Sequence, residues 1–519
     1  MFWPRCSGIL LHPTSLPGPE GIGDLGAGSR AWVDFLAQAK QRLWQILPLG
    51  PTGYGNSPYL SYSAMAGNPL LISLEPLRAQ GWLPAEALLP DLPSQRVDYD
   101  GVSQYKMAQL RQAWAKFQKD AAGMAALQEF VAQQHHWLPD FSLFMALKAA
   151  HGGQPWYAWE RGLAWREPAT LARWQERVRP EQEFHQFLQY LFWQQWQALH
   201  RYAQERQVRI IGDLPIYVAH DSADVWVHPE LFAIDRDTGA VTLMAGVPPD
   251  YFSATGQLWG NPVYDWQALA QTDFAWWVQR LRHLLQWVDV IRIDHFRGFE
   301  SFWQVPAGAE TAMHGEWVPG PGEAFFRTLE RELGELPILV EDLGVITPAV
   351  EALRDRLGFP GTKVLQFAFD DNPDNPYRPC NFSPHCVVYT GTHDNPTTVA
   401  WYASLDEAAQ HRVIRYLGYL SAQGIHWDLI RLGMASVARW CIVPLQDVLG
   451  LGPEGRMNAP GEAAHNWEWR CPPAALTPDL AAKLATLTAT YSRAHQTWPS
   501  PPAASDACRP GHAAGQPVV

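Results

Sequence analysis

Apolar residues along this chain fall into short runs, each closed by a polar or glycine-rich turn. Eight runs read as strands: Gly8–His12, Trp44–Gly50, Val208–Asp213, Val288–Asp294, Ile338–Glu341, Val364–Asp370, Val387–Thr390 and Cys441–Gln446. Continuous β-branched runs of this kind suit parallel strands covered on both faces. Helical patterns lie between several of them. Ser29–Leu43 opens with a capping serine and carries apolar residues at 3–4 spacing. Thr347-Pro-Ala-Val-Glu351 combines a cap, a proline at the first helical position and an early glutamate. Strands alternating with helices predict an α/β chain folded as a (β/α)8 TIM barrel. The rival, an open doubly wound sheet, calls for a glycine-rich phosphate turn after its first strand, and none is present.

The strands are unevenly spaced. Residues of about 65–205 form a mainly helical insert after the second strand, with helices expected over Tyr105–Phe117 and Glu183–Arg206. Residues of about 216–285 form an aromatic-rich insert after the third. Long inserts after barrel strands build substrate-facing subdomains. The catalytic barrel is expected to span 1–498. The stretch 499–519, rich in Pro, Ala and Gly, reads as a disordered tail.

Composition narrows the partners. The 519 residues carry a formal charge of −13, which disfavours a nucleic-acid groove or an anionic membrane. No apolar run is long enough for a membrane span. The six cysteines contain no C-x-x-C pair, and the Cys380…His385-Cys386 group lacks zinc-site spacing. They read as unpaired thiols in a reducing compartment, and with no signal-peptide pattern at the start the expected location is cytoplasmic. Tryptophan is abundant, at 26 residues. Most should fill the core, and some could serve as flat platforms for sugar rings.

Asp294 and Glu341 end apolar strands, and Asp394 follows shortly after the run Val387–Thr390. Barrel enzymes gather their chemistry at that end. Val290, Arg292 and Asp294 share one strand face. Arg292 pointing into a barrel needs an anionic partner, and Asp294 is the natural one. That pairing should keep Asp294 ionised with a depressed pKa, as a nucleophile requires. A purely structural Arg–Asp pair fits the motif equally well. Glu341, at the end of an apolar strand near another carboxylate, should have a raised pKa and suit a general acid. His393-Asp394 could bind sugar hydroxyls or order a turn. Asp213, ending the third strand, should support the loop or Arg292. Carboxylates gathered in one pocket suggest glycoside chemistry.

Taken together, the motifs resemble the α-amylase clan, and within it glycoside hydrolase family 77, the 4-α-glucanotransferases called amylomaltase or disproportionating enzyme. The resemblance runs from Ser7-Gly-Ile-Leu-Leu-His-Pro-Thr-Ser-Leu to about Trp469. It includes Leu49-Gly-Pro-Thr-Gly-Tyr-Gly-Asn-Ser-Pro-Tyr59, Gly212-Asp-Leu-Pro-Ile-Tyr, Gly256-Gln-Leu-Trp-Gly-Asn-Pro, Arg292-Ile-Asp-His-Phe-Arg-Gly, Val340-Glu-Asp-Leu-Gly, Gly391-Thr-His-Asp-Asn-Pro and Arg456-Met-Asn-Ala-Pro-Gly. It implies that Asp294 is the nucleophile, Glu341 the acid/base and Asp394 the transition-state stabiliser. It implies that Arg292 and His393 contact the sugar beside the cleaved bond, Tyr59 stacks on it and Asp213 supports the site. Trp259 would stack on the acceptor sugar and Asn466 would face the glucan. Ser57 and Asp370 are further substrate contacts, and Tyr54 belongs to a second glucan contact. The implied partners are α-1,4-glucans and maltooligosaccharides, with glucose as an acceptor. No metal or other cofactor is called for. The segments Tyr251–Trp259 and Asn458–Trp467 are candidates for the gate that admits sugar or water. The alternatives are an α-glucan hydrolase of the same clan and a non-catalytic glucan-binding barrel.

Overall fold

The computed structural model describes residues 4–86, 89–249, 253–462 and 464–494. The expected tail, 499–519, lies outside the described residues. Eight parallel strands form the expected barrel. They are β1 Cys6–Leu10, β2 Leu43–Gln45, β3 Arg209–Leu214, β6 Val290–Ile293, β9 Ile338–Val340, β10 Gly361–Val364, β11 Cys386–Tyr389 and β12 Trp440–Pro444. The neighbours run β10-β11-β12-β1-β2-β3-β6-β9. The seam between β9 and β10 is closed by two bonds. Val340 N–H donates to Pro360 O at 3.0 Å, and Thr362 Oγ1 donates to Val340 O at 2.9 Å.

A second sheet stands apart from the barrel ring. It is antiparallel, in the order β5-β4-β7-β8, from β4 Leu243–Val247, β5 Gln257–Pro262, β7 Ser301–Pro306 and β8 Glu316–Pro319. None of these strands is among the eight apolar runs. They are only partly buried and carry Gly246, Gly260 and terminal prolines, so local pattern does not mark them. Between β2 and β3 lie the helices Tyr99–Phe117, Ala121–Gln133, Leu138–Ala150 and Pro168–Glu205.

Two expected elements are shifted. The sixth strand is Gly361–Val364, and the apolar run after it turns into a 3-10 helix, Leu365–Phe367. Pairing of Gly361–Val364 with Cys386–Tyr389 fixes the register, while Leu365 and Ala368 reach the core from the turn. Asp370 is therefore not at a strand end. The first helix is Ala27–Gln38, with Gly26 rather than Ser29 at its N-cap. Ser29 is buried inside it, and its hydroxyl donates to Asp24 O. Thr347 does cap its helix, accepting the N–H of Val350, with Pro348 behind it.

Trp32, Trp44, Trp156, Trp196, Trp226, Trp277 and Trp440 are fully buried. Among the described residues no helix is long and apolar enough to cross a membrane. The described cysteines, Cys6, Cys380, Cys386, Cys441 and Cys471, are free thiols. Cys508 lies outside the described residues.

Candidate active site

The site is assembled at the carboxyl ends of β3, β6, β9 and β11. The β3–β6 register places Asp213 beside Arg292. Partners in a parallel ladder project to the same face, so the guanidinium meets the carboxylate directly. Arg292 Nη1 donates to Asp213 Oδ1 at 2.8 Å and Oδ2 at 2.7 Å, and also to Asp294 Oδ1 at 2.9 Å. Arg292 and Asp213 are both buried, while the Asp294 side chain keeps 28% of its surface toward the cleft. Asp213 also accepts the Tyr59 hydroxyl at 2.8 Å. That hydroxyl lies 2.9 Å from His393 Nε2, and the two rings stack at 5.4 Å and 14°.

Glu341 follows β9 and is held by the main chain. Its Oε2 accepts the N–H of His295 at 2.8 Å, and its Oε1 accepts the N–H of Leu343 at 2.7 Å. Burial, followed by the negative charge of Asp294, pushes Glu341 up to about 8, against the pull of Arg292 and the two N–H donors. Asp294 is pushed up to about 6, by burial first, with Arg292 opposing and Asp213 adding to the rise. This corrects the expectation of a depressed Asp294. Arg292 divides its charge between two carboxylates, and Asp213 takes the larger share of the hydrogen bonding. The order of the two acids still suits their chemistry. Glu341 is raised further than Asp294, so of the two it is the one that keeps its proton as pH rises.

Asp394 stands in the turn after β11, ordered by Asn395, whose Oδ1 accepts Thr392 N–H and Oγ1, both at 2.9 Å. Asn458 Nδ2 donates to Asp394 Oδ1 at 2.6 Å, and Arg456 Nη2 donates to its carbonyl at 3.2 Å. His393 Nε2 lies 3.4 Å from Asp394 Oδ2. Asn458 and Arg456 carry no apolar pattern and no strand-end position. Only their place in the Arg-Met-Asn-Ala-Pro-Gly motif marks them in the sequence.

Two cavities meet at these acids. One, of about 350 Å³, is lined by Ser57, Tyr59, Tyr217, His393, Asn466 and Trp467, among others. The other, of about 850 Å³, is lined by Arg292, His295, Arg297, Trp317, Glu341 and Arg456, among others. Asp294, Asp394 and Trp259 line both. Trp259, on β5, packs edge-to-face on His295 at 4.9 Å. His295, the residue after Asp294, has a left-handed backbone (φ 51°), and burial pushes its imidazole down to about 3. Uncommon backbone geometry in a non-glycine residue beside the chemistry is typical of functional sites.

The remaining expected residues are placed less directly. Asn466 lines the smaller cavity but spends its amide on its own loop, accepting Ala459 N–H at 2.8 Å and donating to Glu462 O at 2.7 Å. Ser57 Oγ accepts Tyr59 N–H at 3.3 Å and reaches the same cavity. Asp370 lines neither cavity. It sits on an exposed turn, 3.6 Å from Arg378, because its strand ends at Val364. The side chain of Tyr54 lies outside the described residues, as do Tyr251 and Phe252 of the expected gate. Among the described residues no group of three or more His, Cys, Asp or Glu is arranged to hold a metal ion.

The family model described as 4-alpha-glucanotransferase, glycoside hydrolase family 77, matches residues 11–477. This chain belongs to that family. A 4-alpha-glucanotransferase of Synechocystis sp. is 57% identical over 94% of this chain and 98% of its own length. One from Thermus thermophilus is 49% identical over 94% and 99%. An amylomaltase from Streptococcus agalactiae, solved with acarbose, superposes with a TM-score of 0.92 at 38% identity, covering 94% of this chain and 99% of its own. Membership in the 4-alpha-glucanotransferase family gives the gathered acids a glycosyl-transfer setting.

Proposed function

We propose that this chain is a 4-α-glucanotransferase that moves a segment of an α-1,4-glucan to the 4-hydroxyl of glucose or of another glucan. Glu341 faces only the larger cavity, Tyr59 and His393 face only the smaller, and Asp294 faces both. This observation carries the reading. A general acid must sit on the side of the leaving group, so the larger cavity takes the leaving and incoming chains. The smaller cavity then holds the transferred segment, with Tyr59 stacked on the sugar beside the cleaved bond.

The steps balance without a cofactor. Glu341 gives its proton to the glycosidic oxygen while the Asp294 carboxylate attacks the anomeric carbon, and the reducing-end fragment leaves. Glu341, now ionised, takes the proton of an incoming 4-hydroxyl as that oxygen displaces Asp294. Two inversions give net retention. Arg292 holds Asp294 in line from beneath. Asp394, oriented by Asn458, and His393 contact the hydroxyls of the distorted ring. Trp259, at the junction of the cavities, offers its face to the acceptor sugar. The bond formed equals the bond broken, and exclusion of water by residues 253–259, 458–462 and 464–467 favours transfer over hydrolysis. The free thiols fit a cytoplasmic location.

Incubation with maltotriose, followed by separation of products by length, tests this reading. Glucose together with longer oligomers is expected. Shortening with a growing count of reducing ends would replace it with hydrolysis, and unchanged maltotriose with retained binding would leave a binding barrel.

A further inference from the structure

Three large apolar side chains are exposed around one part of the larger cavity. Trp317 is 38% exposed and lines it. Val345, 50% exposed, lines it too, and Met313, 48% exposed, follows the lining residues Thr311 and Ala312. Of the eight large apolar residues exposed among the described residues, these three gather at one cleft wall, and such a gathering marks a contact surface. The cluster has a fixed frame. The Arg297 guanidinium lies over the Trp317 ring, 3.7 Å from its centroid, and its Nη2 donates to Ser301 Oγ at 3.2 Å. Arg297 Nη1 also donates to Val345 O, tying the loop after Glu341 to this point. Trp303 meets Trp317 edge-on at 5.2 Å, across the β7–β8 pairing that sets the two residues opposite each other. Trp317 is thus a held aromatic ring on an edge strand, with part of its surface left to the cavity.

Its position relative to the chemistry follows from the two cavities. Trp259 lines both, so it stands at the junction where the bond is cut. Trp317 lines only the cavity that contains Glu341. We propose that Trp317, braced by Arg297, is a sugar-stacking subsite for acceptor glucans, engaging a glucose unit beyond the one at Trp259. It sets a preference for longer acceptors and deepens the transferase reading, on which it rests. The warrant is physical. An aromatic face offers area to the C–H side of a pyranose, and a ring already fixed by its neighbours loses little freedom on binding.

The test compares acceptors of increasing length, from glucose to maltopentaose, with one common donor, in the full-length protein and in Trp317→Ala and Trp317→Phe. In Trp317→Ala, the ratio of kcat/KM for maltopentaose to that for glucose is expected to fall about five- to tenfold, mainly through KM. Trp317→Phe, which keeps an aromatic face, should recover most of that ratio. A ratio unchanged in Trp317→Ala, or equal losses for all acceptors, would overturn the subsite. If Trp317→Ala fails to fold, Trp317→Leu replaces it with the same two readings. Wild-type protein that builds no longer oligomers with any acceptor would instead sink the transferase reading, a result separate from either.

Discussion

The main-chain N–H of His295 donates to Glu341 Oε2 at 2.8 Å, so the residue following one reacting acid positions the other. The left-handed turn at His295 aims that N–H across from β6 to the end of β9. The same residue supports Trp259 at the junction of the two cavities. Asp294, Glu341 and Trp259 are thereby joined through one backbone turn.

The two acids predict the shape of the pH profile. Activity requires Asp294 ionised, so it should rise as pH increases through about 6. It requires Glu341 protonated, so it should fall as pH increases through about 8. The two limbs belong to the coupled pair rather than to either residue alone. Measured as kcat/KM against pH, the curve should be a bell with a top between these values. Glu341→Gln should lose about 10²–10⁴-fold in rate on unactivated glucans, together with the alkaline limb. A flat profile would count against both assignments.

Asp213→Asn separates support from chemistry. Removing that charge leaves Arg292 to Asp294 alone and removes a like charge nearby, and both changes lower the Asp294 pKa. The acid limb of the profile should therefore move below its wild-type position. Stability should fall by about 3 kcal/mol, the low end for breaking a buried pair, because Arg292 retains one partner. Denaturant titration reads the second effect, and an acid limb that moves upward would contradict the first.

Asn458→Ala removes the 2.6 Å donor to Asp394. A hydrogen bond to a charged group is worth about 1.5–3 kcal/mol, so kcat should drop about 10–100-fold if Asp394 acts on the transition state. A change confined to KM would instead make Asp394 a binding residue only.

His295→Gly and His295→Ala both delete the imidazole under Trp259, but only glycine adopts the left-handed backbone without strain. The glycine variant should be the more stable by about 1 kcal/mol in equilibrium unfolding. Both should keep the N–H to Glu341 and weaken acceptor binding. Equal stabilities would mean that the turn at His295 carries no strain.

Asp370 shows how far local pattern reaches. The run from Val364 to Asp370 is apolar enough for a strand, and the family resemblance makes Asp370 a substrate contact. The ladder to β11 takes Gly361–Val364 instead, sharing only Val364 with the run, and Asp370 is left on a turn outside both cavities. Ser29 is a similar case, polar and near a helix start, yet buried one turn inside because Gly26 supplies the cap. The second sheet escapes notice because its strands are half-exposed and interrupted by glycine and proline. Only the central pairing, between β4 and β7, joins segments far apart in the chain.

By itself, the sequence determined the barrel and the three acids. Buried strands must be apolar, and acids that close such strands leave a local mark. It also carried the motifs that place the chain among the 4-alpha-glucanotransferases. Tertiary structure decided the electrostatics of the acids and the cavity that each residue faces. Burial raises Asp294, and Arg292, shared with Asp213, opposes that rise without reversing it. Glu341 opens to one cavity and Tyr59 to the other. Both outcomes depend on which strands are neighbours and on what solvent is excluded between them, and no local window of residues encodes either.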